Sequence, residues 1–281
     1  MLKVLKPGFY STIQDIGRFG YREYGVPISG AMDSYSSRLA NALLGNYKNA
    51  AFIEMTMVGG TFQFLEPTVI AITGAFMCPK LNGTAIGQNR LVKIKSKDIL
   101  SFHRAEDGFR AYLAIKDGFQ SDLELGSRSQ YKPVTLNNTI KEGELIPYRT
   151  FTNFKGSNSK VKYDDSVLKS TLLDVLKGPE FNRLTQRQKE LLERGVFKVT
   201  KYNNRMAYQL EPTIKNNLNT VLSSPVLPGT VQLTPSGNLI VLMRDCQTTG
   251  GYPRILQLTE EAINKLSQKT SVKPLEFRLI E

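Results

Sequence analysis

Tryptophan is absent from the 281 residues, and histidine occurs once and cysteine twice. Each shortage closes off a chemistry. A lone imidazole, His103, cannot build a zinc site that needs several histidines, and any Ser-His-Asp triad has to run through that one residue. Cys78 and Cys246 lie far apart and form no Cys-x-x-Cys, so neither a disulfide framework nor a zinc ribbon can be read. So few thiols fit a reducing, cytoplasmic setting. No apolar run approaches 18 residues, and the opening MLKVLKPGFYSTIQD lacks the apolar core of a leader, so a soluble, untargeted chain with no membrane segment is expected. Nucleotide signatures are also missing. GGTF at Gly59–Phe62 is not a P-loop, and no GxGxxG follows a strand. Although Lys and Arg total 37 against 25 acidic residues, for a net charge of +12, no block of five like charges occurs. A dispersed excess of this kind is a solvated surface suited to an anionic substrate or an acidic partner, and no nucleic acid is expected to bind.

What is present is enough apolar material, 41% of the residues against 22% charged, to build real cores. The length points to two domains. Short alternating or β-branched runs bounded by Gly, Pro, Asn or Asp read as strands at Leu2–Leu5, Phe52–Met57, Thr61–Leu65, Val69–Thr73, Leu91–Ile94, Ile99–His103 and Ala111–Ile115. Further strands read at Val196–Thr200, Thr230–Leu233, Leu239–Met243 and Ile255–Leu258. Asn82-Gly83 marks a tight hairpin turn. Helices are few. One follows Asp33 as N-cap, with Leu39, Leu43 and Leu44 on one face and Gly45 as its stop. A second has Thr185 and Gln188 in capping-box spacing and ends at Gly195, and a short third follows Thr259–Glu261. The polar, aperiodic stretch Phe151–Asp165, with its GSNS, is the expected boundary. The expectation is a mainly β chain with a few short helices. Two β-barrel-like domains, 1–155 and 156–281, follow, with strands free to cross over between them.

Four segments carry more polar chemistry than plain structure needs. Pro7–Asp33 is punctuated by five glycines and two prolines, and it interleaves Gln14, Asp15, Arg18, Arg22, Ser29 and Asp33 with tyrosines, as a binding loop on a rigid scaffold does. The bland alternative is a surface loop in which Asp15 and Arg18 form a weak ion pair. In LGSRSQY, Gly126 permits a turn and Arg128 offers a planar fork for a carboxylate or phosphate. NNRMAYQL pairs Arg205 with Tyr208, which would face opposite sides of a strand. RDCQTTGGYPR crowds Asp245, Gln247, Thr248 and Thr249 beside Gly250-Gly251, whose backbone N–H groups suit an oxyanion or phosphate. Cys246 has an acidic neighbour and no histidine nearby, which argues against a nucleophile. His103 ends an apolar strand and reads as a core or rim residue rather than a base.

Taken together, PGFYSTIQDIGRFGYREYGVPISGAMD, LANALLGN, LGSRSQY, NRMAYQL and LPGTVQLTPSGNLIVLMRDCQTTGGYPRI resemble the family of the 5-oxoprolinase C subunit, also called KipA or allophanate hydrolase subunit 2. The likeness runs from Pro7 to about Gln268 and extends to the carboxyltransferase domain of urea carboxylase. It implies two cyclophilin-like β-barrel domains, and work alongside two partners: a KipI-like B subunit, and a LamB/YcsF-like A subunit. The implied reaction is ATP-dependent opening of the lactam of 5-oxoproline to glutamate, with ATP used at the level of the complex. Two other readings accompany it: a non-catalytic regulatory partner of a KipI-like protein, and transfer of a carboxyl group from carboxybiotin to urea or an amide. The chain has no Met-Lys-Met biotin attachment site, and no metal site is expected. On the lactam reading, residue chemistry assigns Asp15, Asp245 and Thr248 to catalysis. Substrate binding falls to Gln14, Arg18, Asp33, Arg128, Tyr131, Arg205, Tyr208, Gln247, Thr249, Gly250, Gly251, Tyr252 and Arg254. Two departures from the family stand out. A glycine-rich stretch is replaced by KPVTLNNTIKEGE at Lys132–Glu144, and Asp-Arg-Met-Gly-Tyr-Arg becomes Asn204-Arg205-Met206-Ala207-Tyr208-Gln209.

Overall fold

The computed structural model describes residues 1–153, 161, 163–271 and 273–280. The expected boundary at residue 155, with its GSNS stretch, lies outside them. The chain divides into two compact units, Met1–Arg18 with Ser29–Leu168, and Phe19–Ile28 with Lys169–Glu281. The segment Phe19–Ile28 of the first glycine-rich loop therefore belongs to the second unit, although it lies far away in sequence.

The first unit contains β1 (Leu2–Lys6), β2 (Tyr10–Gln14), α1 (Ser34–Leu43), β3 (Phe52–Thr56), β4 (Thr61–Phe64), β5 (Thr68–Phe76), β6 (Lys80–Leu81), β7 (Thr84–Ala85), β8 (Leu91–Ile94), β9 (Ile99–Ser101), β10 (Asp107–Ile115) and β11 (Leu145–Ile146). Two sheets form, in the orders β11-β1-β4-β9-β6-β7 and β2-β3-β10-β5-β8. Alternate residues of both sheets meet in one core: Leu2, Val4, Phe62, Phe64 and Leu100 from one, and Ile13, Ile53, Ile72, Ile94 and Leu113 from the other. The hairpin β6–β7 turns on Asn82 and Gly83, both at positive φ, as expected of Asn-Gly.

Two details differ from the sequence reading. Inside the glycine-punctuated loop, Tyr10–Gln14 forms a strand, with Ser11 to Gln14 all buried. Burial on both faces erases the polar–apolar alternation that would have announced it. Helix α1, capped by Asp33 as expected, buries Ser36, Ser37, Ala40 and Asn41, while Leu39 and Leu43 are only partly covered. Small residues let the helix lie close against the sheet, where the Thr73 hydroxyl donates to the Ser36 carbonyl (2.7 Å).

The second unit takes up the chain near α2 (Ser166–Lys169) and holds β12 (Leu172–Lys177), α3 (Gln186–Arg194), β13 (Phe197–Asn203), β14 (Ala207–Glu211), β15 (Ser224–Pro225), β16 (Thr230–Leu233), β17 (Leu239–Leu242), β18 (Thr249–Gly250), β19 (Arg254–Leu258), α4 (Glu260–Ser267) and β20 (Pro274–Leu279). Seven strands close a barrel in the order β12-β19-β16-β17-β14-β13-β20. Among the described residues only β12 and β20 run parallel, and their pairing seals the cylinder and removes its edges. The Thr185–Gln188 capping box and the Thr259 cap of α4 are both present. The fold is mainly β, and the four α-helices among the described residues are short. Among the described residues no helix is long and apolar enough to cross a membrane.

Candidate functional site

In the first unit, Asp15 sits where β2 ends and is almost fully buried. Its Oδ1 accepts from the Gly17 N–H (2.8 Å) and from the Ser127 (2.6 Å) and Ser129 (2.7 Å) hydroxyls, and its Oδ2 accepts from the Arg128 N–H (2.7 Å). Three donors share Oδ1 and one reaches Oδ2. The carboxylate thus fastens the loop after β2 to the LGSRSQY turn. Arg18 is buried beside it, with Nε donating to the Glu124 carbonyl (3.0 Å) and Nη2 to the Ser129 carbonyl (2.9 Å). Gln14 joins the same strap. Its Oε1 accepts from the Gly30 N–H and its Nε2 donates to the Gln130 carbonyl. The Arg128 and Tyr131 side chains stay half-buried at the rim.

Asp33 faces inward. Its carboxylate accepts from the Ser36 N–H and hydroxyl, and its own N–H donates to the Tyr112 hydroxyl (2.8 Å). Burial, reinforced by the Glu54 and Asp33 carboxylates, pushes the Tyr112 phenol well above its ordinary range, so it remains a neutral hydrogen-bonding post. Glu54, itself buried, accepts from the Met32 N–H (2.8 Å), and Arg110 lies 3.8 Å from it. This buried network holds residues 30–33 in place.

In the second unit, Arg205 and Asp245 form a two-pronged pair, Nε to Oδ2 at 2.8 Å and Nη2 to Oδ1 at 3.1 Å. The Asp245 N–H donates to the Arg205 carbonyl (2.9 Å), which ties the two loops a second time. Arg205 precedes β14 in a turn that Asn204 caps by accepting the Met206 and Ala207 N–H groups. The alternation expected of a strand therefore does not apply to Arg205, and both it and Tyr208 are buried. Asn accepts those two N–H groups as Asp would, so the departure at residue 204 leaves the turn intact.

Arg254 is held in the same manner. Glu180 accepts from its Nε (3.0 Å), Nη2 (2.9 Å) and backbone N–H (2.8 Å), and Nη1 donates to the Pro225 carbonyl (3.2 Å). The arginine's hydrogen bonds hold the Glu180 carboxyl below its ordinary range, and the glutamate raises Arg254 in return. Glu180 is more than seventy positions upstream in a stretch without periodicity, so no local signal could have found it.

Thr249–Gly250 forms β18 and pairs with β15, and the Gly251 carbonyl accepts from the Val221 N–H (3.0 Å). Thr249 and Tyr252 are exposed, and Gln247 and Thr248 half-buried. Arg22, which arrives with the inserted segment, donates to the Val226 and Thr248 carbonyls. Cys246 is buried, and its thiol is pushed up to about 11, chiefly by that burial. It stays protonated at neutral pH, which fits its reading as a non-nucleophile. His103 is exposed at the rim of the first unit. Among the described residues no group of three or more His, Cys, Asp or Glu is placed to hold a metal.

Two clusters thus emerge, one in each unit: carboxylates and guanidiniums paired off inside, hydroxyls, tyrosines and Arg128 toward solvent. The family model "Carboxyltransferase domain, subdomain A and B" matches residues 24–279. The chain belongs to this carboxyltransferase-domain family. It is 32% identical over 283 residues to the 5-oxoprolinase C subunit of Escherichia coli, a match covering 99% of this chain and 90% of that one. The solved structure of TTHA0988 superposes with a TM-score of 0.89 at 26% identity over 99% of this chain, which spans only 55% of the TTHA0988 chain. The structure of the K. lactis urea amidolyase superposes with a TM-score of 0.87 at 27% identity, and all of this chain corresponds to 19% of that much longer one. This carboxyltransferase-family chain therefore has full-length relatives within 5-oxoprolinases and a structural counterpart inside a urea-processing enzyme.

Proposed function

We propose that the chain is the C subunit of an ATP-dependent 5-oxoprolinase, which opens the lactam of 5-oxoproline to glutamate together with KipI-like B and LamB/YcsF-like A subunits. The observation that carries this reading is the end-to-end likeness to the 5-oxoprolinase C subunit of E. coli, which covers nine-tenths of that protein. Opening a lactam builds negative charge on the carbonyl oxygen as the amide loses its resonance, so the site must offer donors where that charge grows. Half-buried Arg128 and Tyr131 in the first unit, and Thr248 and Thr249 in the second, are donors of the kind this chemistry uses.

The paired groups take a different part. Asp15, Asp245, Arg205 and Arg254 are engaged in hydrogen bonds to the protein's own groups. Asp15 holds the Gly17–Arg18 and LGSRSQY loops of the first unit, and Arg205, Asp245 and Arg254 hold the DCQTTGGYPR loop of the second. ATP is used at the level of the complex. The test is a coupled assay with co-expressed A and B subunits, measuring ATP-dependent glutamate release from 5-oxoproline. Complex formation without turnover would instead support a regulatory partner of the KipI-like protein.

Carboxyl transfer to urea or an amide is the second reading, favoured by the superposition on the K. lactis urea amidolyase. It requires a separate biotin carrier, and bicarbonate-dependent consumption of urea in place of glutamate release would establish it.

A further inference from the structure

We propose that Arg22, Gln232 and Gln247 of the second unit form a receptor for one planar amide group, with Gly250 kept free of a side chain beside it. Three atoms that are buried and have no hydrogen-bond partner among the described residues point to it: Arg22 Nη1, Gln232 Nε2 and Gln247 Oε1. Native proteins leave few such atoms, and each calls for an explanation. These three come from separate parts of the chain, and each has a link to the stretch 246–250. The other amino group of Arg22 reaches the Val226 and Thr248 carbonyls. Gln247 is the residue between Cys246 and Thr248. Gln232, on barrel strand β16 and only 2% exposed, brings its Nε2 well inside contact distance of where a Cβ would stand on residue 250.

The donor–acceptor inventory selects the ligand. Arg22 Nη1 and Gln232 Nε2 are donors, whereas Gln247 Oε1 is an acceptor. A carboxylate would satisfy the first two and be repelled by the third, and an ammonium group would do the reverse. An amide matches all three, since its carbonyl oxygen accepts twice and its N–H donates once. The lactam of 5-oxoproline and urea both present this edge; that the lactam is the natural ligand rests on the function proposed above. A Cβ on residue 250 would displace the Gln232 amide, whereas at Gly251 a Cβ would meet only the Val221 carbonyl at an ordinary 3.5 Å.

The test uses the full chain and titrates 2-pyrrolidone, its N-methyl derivative and 5-oxoproline by ligand-observed NMR, with thermal unfolding in parallel. The lactams with an N–H should bind, and N-methyl-2-pyrrolidone should bind at least ~10-fold more weakly because Gln247 loses its donor. Gln232→Leu should fold with an unchanged or raised Tm, because it removes an unmatched polar atom, and it should lose at least ~10-fold in 2-pyrrolidone binding. Gly250→Ala should lose binding and Gly251→Ala should keep it. Equal binding of the N-methyl compound, unaltered binding by Gln232→Leu, or no binding by any probe, as expected if the three atoms merely hold water, would each overturn the receptor. The two proposals fail separately. Equal glutamate release by wild type and Gln232→Leu in the complex with the A and B subunits would refute the receptor alone, whereas lactam binding without glutamate release would refute only the oxoprolinase reading.

Discussion

Replacing Asp15 by alanine removes an acceptor that four donors share in the interior of the first unit. The Ser127 and Ser129 hydroxyls can rotate toward other acceptors, but the Gly17 and Arg128 N–H groups are fixed by the backbone and are left facing a small void. Each buried, orphaned N–H costs about 1–3 kcal/mol, so the substitution should destabilise the unit by about 4 kcal/mol. That is a large part of the 5–15 kcal/mol that typically holds a domain together. For a unit of this size it corresponds to a fall in Tm of roughly 8–16 °C, at ~2–4 °C per kcal/mol. Asp15→Asn keeps one oxygen and should cost about 1–2 kcal/mol, since its amide nitrogen must confront a donor. Urea and thermal unfolding of the three proteins, monitored by circular dichroism, measure the series. An Asp15→Ala protein within ~0.5 kcal/mol of wild type, yet without activity in the reconstituted complex, would refute the anchoring role and restore Asp15 as a candidate base.

Three further outcomes follow from the second unit. Removing either member of the Arg205–Asp245 pair strands the other charge in a largely buried site, and each single alanine variant should lose about 3–5 kcal/mol in urea unfolding, with the double variant far less destabilised than the sum. Glu180 is held below its ordinary value of 4.5 by Arg254, so the pair's contribution is present above that pH and is lost as the pH falls through the lower, folded value. Glu180→Gln should therefore flatten the acid limb of the stability–pH profile below about pH 4.5 and lower stability at pH 7. Thiol labelling at pH 8 should modify partly exposed Cys78 in the native protein, and Cys246 only after unfolding; rapid native labelling of Cys246 would contradict its burial.

Much of the fold is legible locally. Leu91–Ile94 and Thr230–Leu233 are strands at the bounds their composition suggests, and the Thr185–Gln188 capping box forms because both of its bonds lie within one helical turn. Strands β12 and β20 were not legible, because their role is to close a barrel by pairing parallel with each other across about a hundred residues. The polar loops were equally visible as loops, but which of their charges face a ligand was not. Asp15 and Asp245 resemble catalytic carboxylates in sequence and are occupied in space, since their partners come from residues 127–129 and 205.

By itself the sequence determined a mainly β chain with few helices, the positions of its caps and turns, and the motifs that place it among carboxyltransferase-domain proteins. Short-range backbone preferences and hydrophobic periodicity act within a handful of residues and can be read in order. Only the tertiary structure decided that Phe19–Ile28 belongs to the second unit, that Glu180 claims Arg254, and that Arg22, Gln232 and Gln247 each leave a buried polar atom unmatched. Hydrogen bonds depend on distance in space, and the fold brings these residues together from across more than two hundred positions of chain.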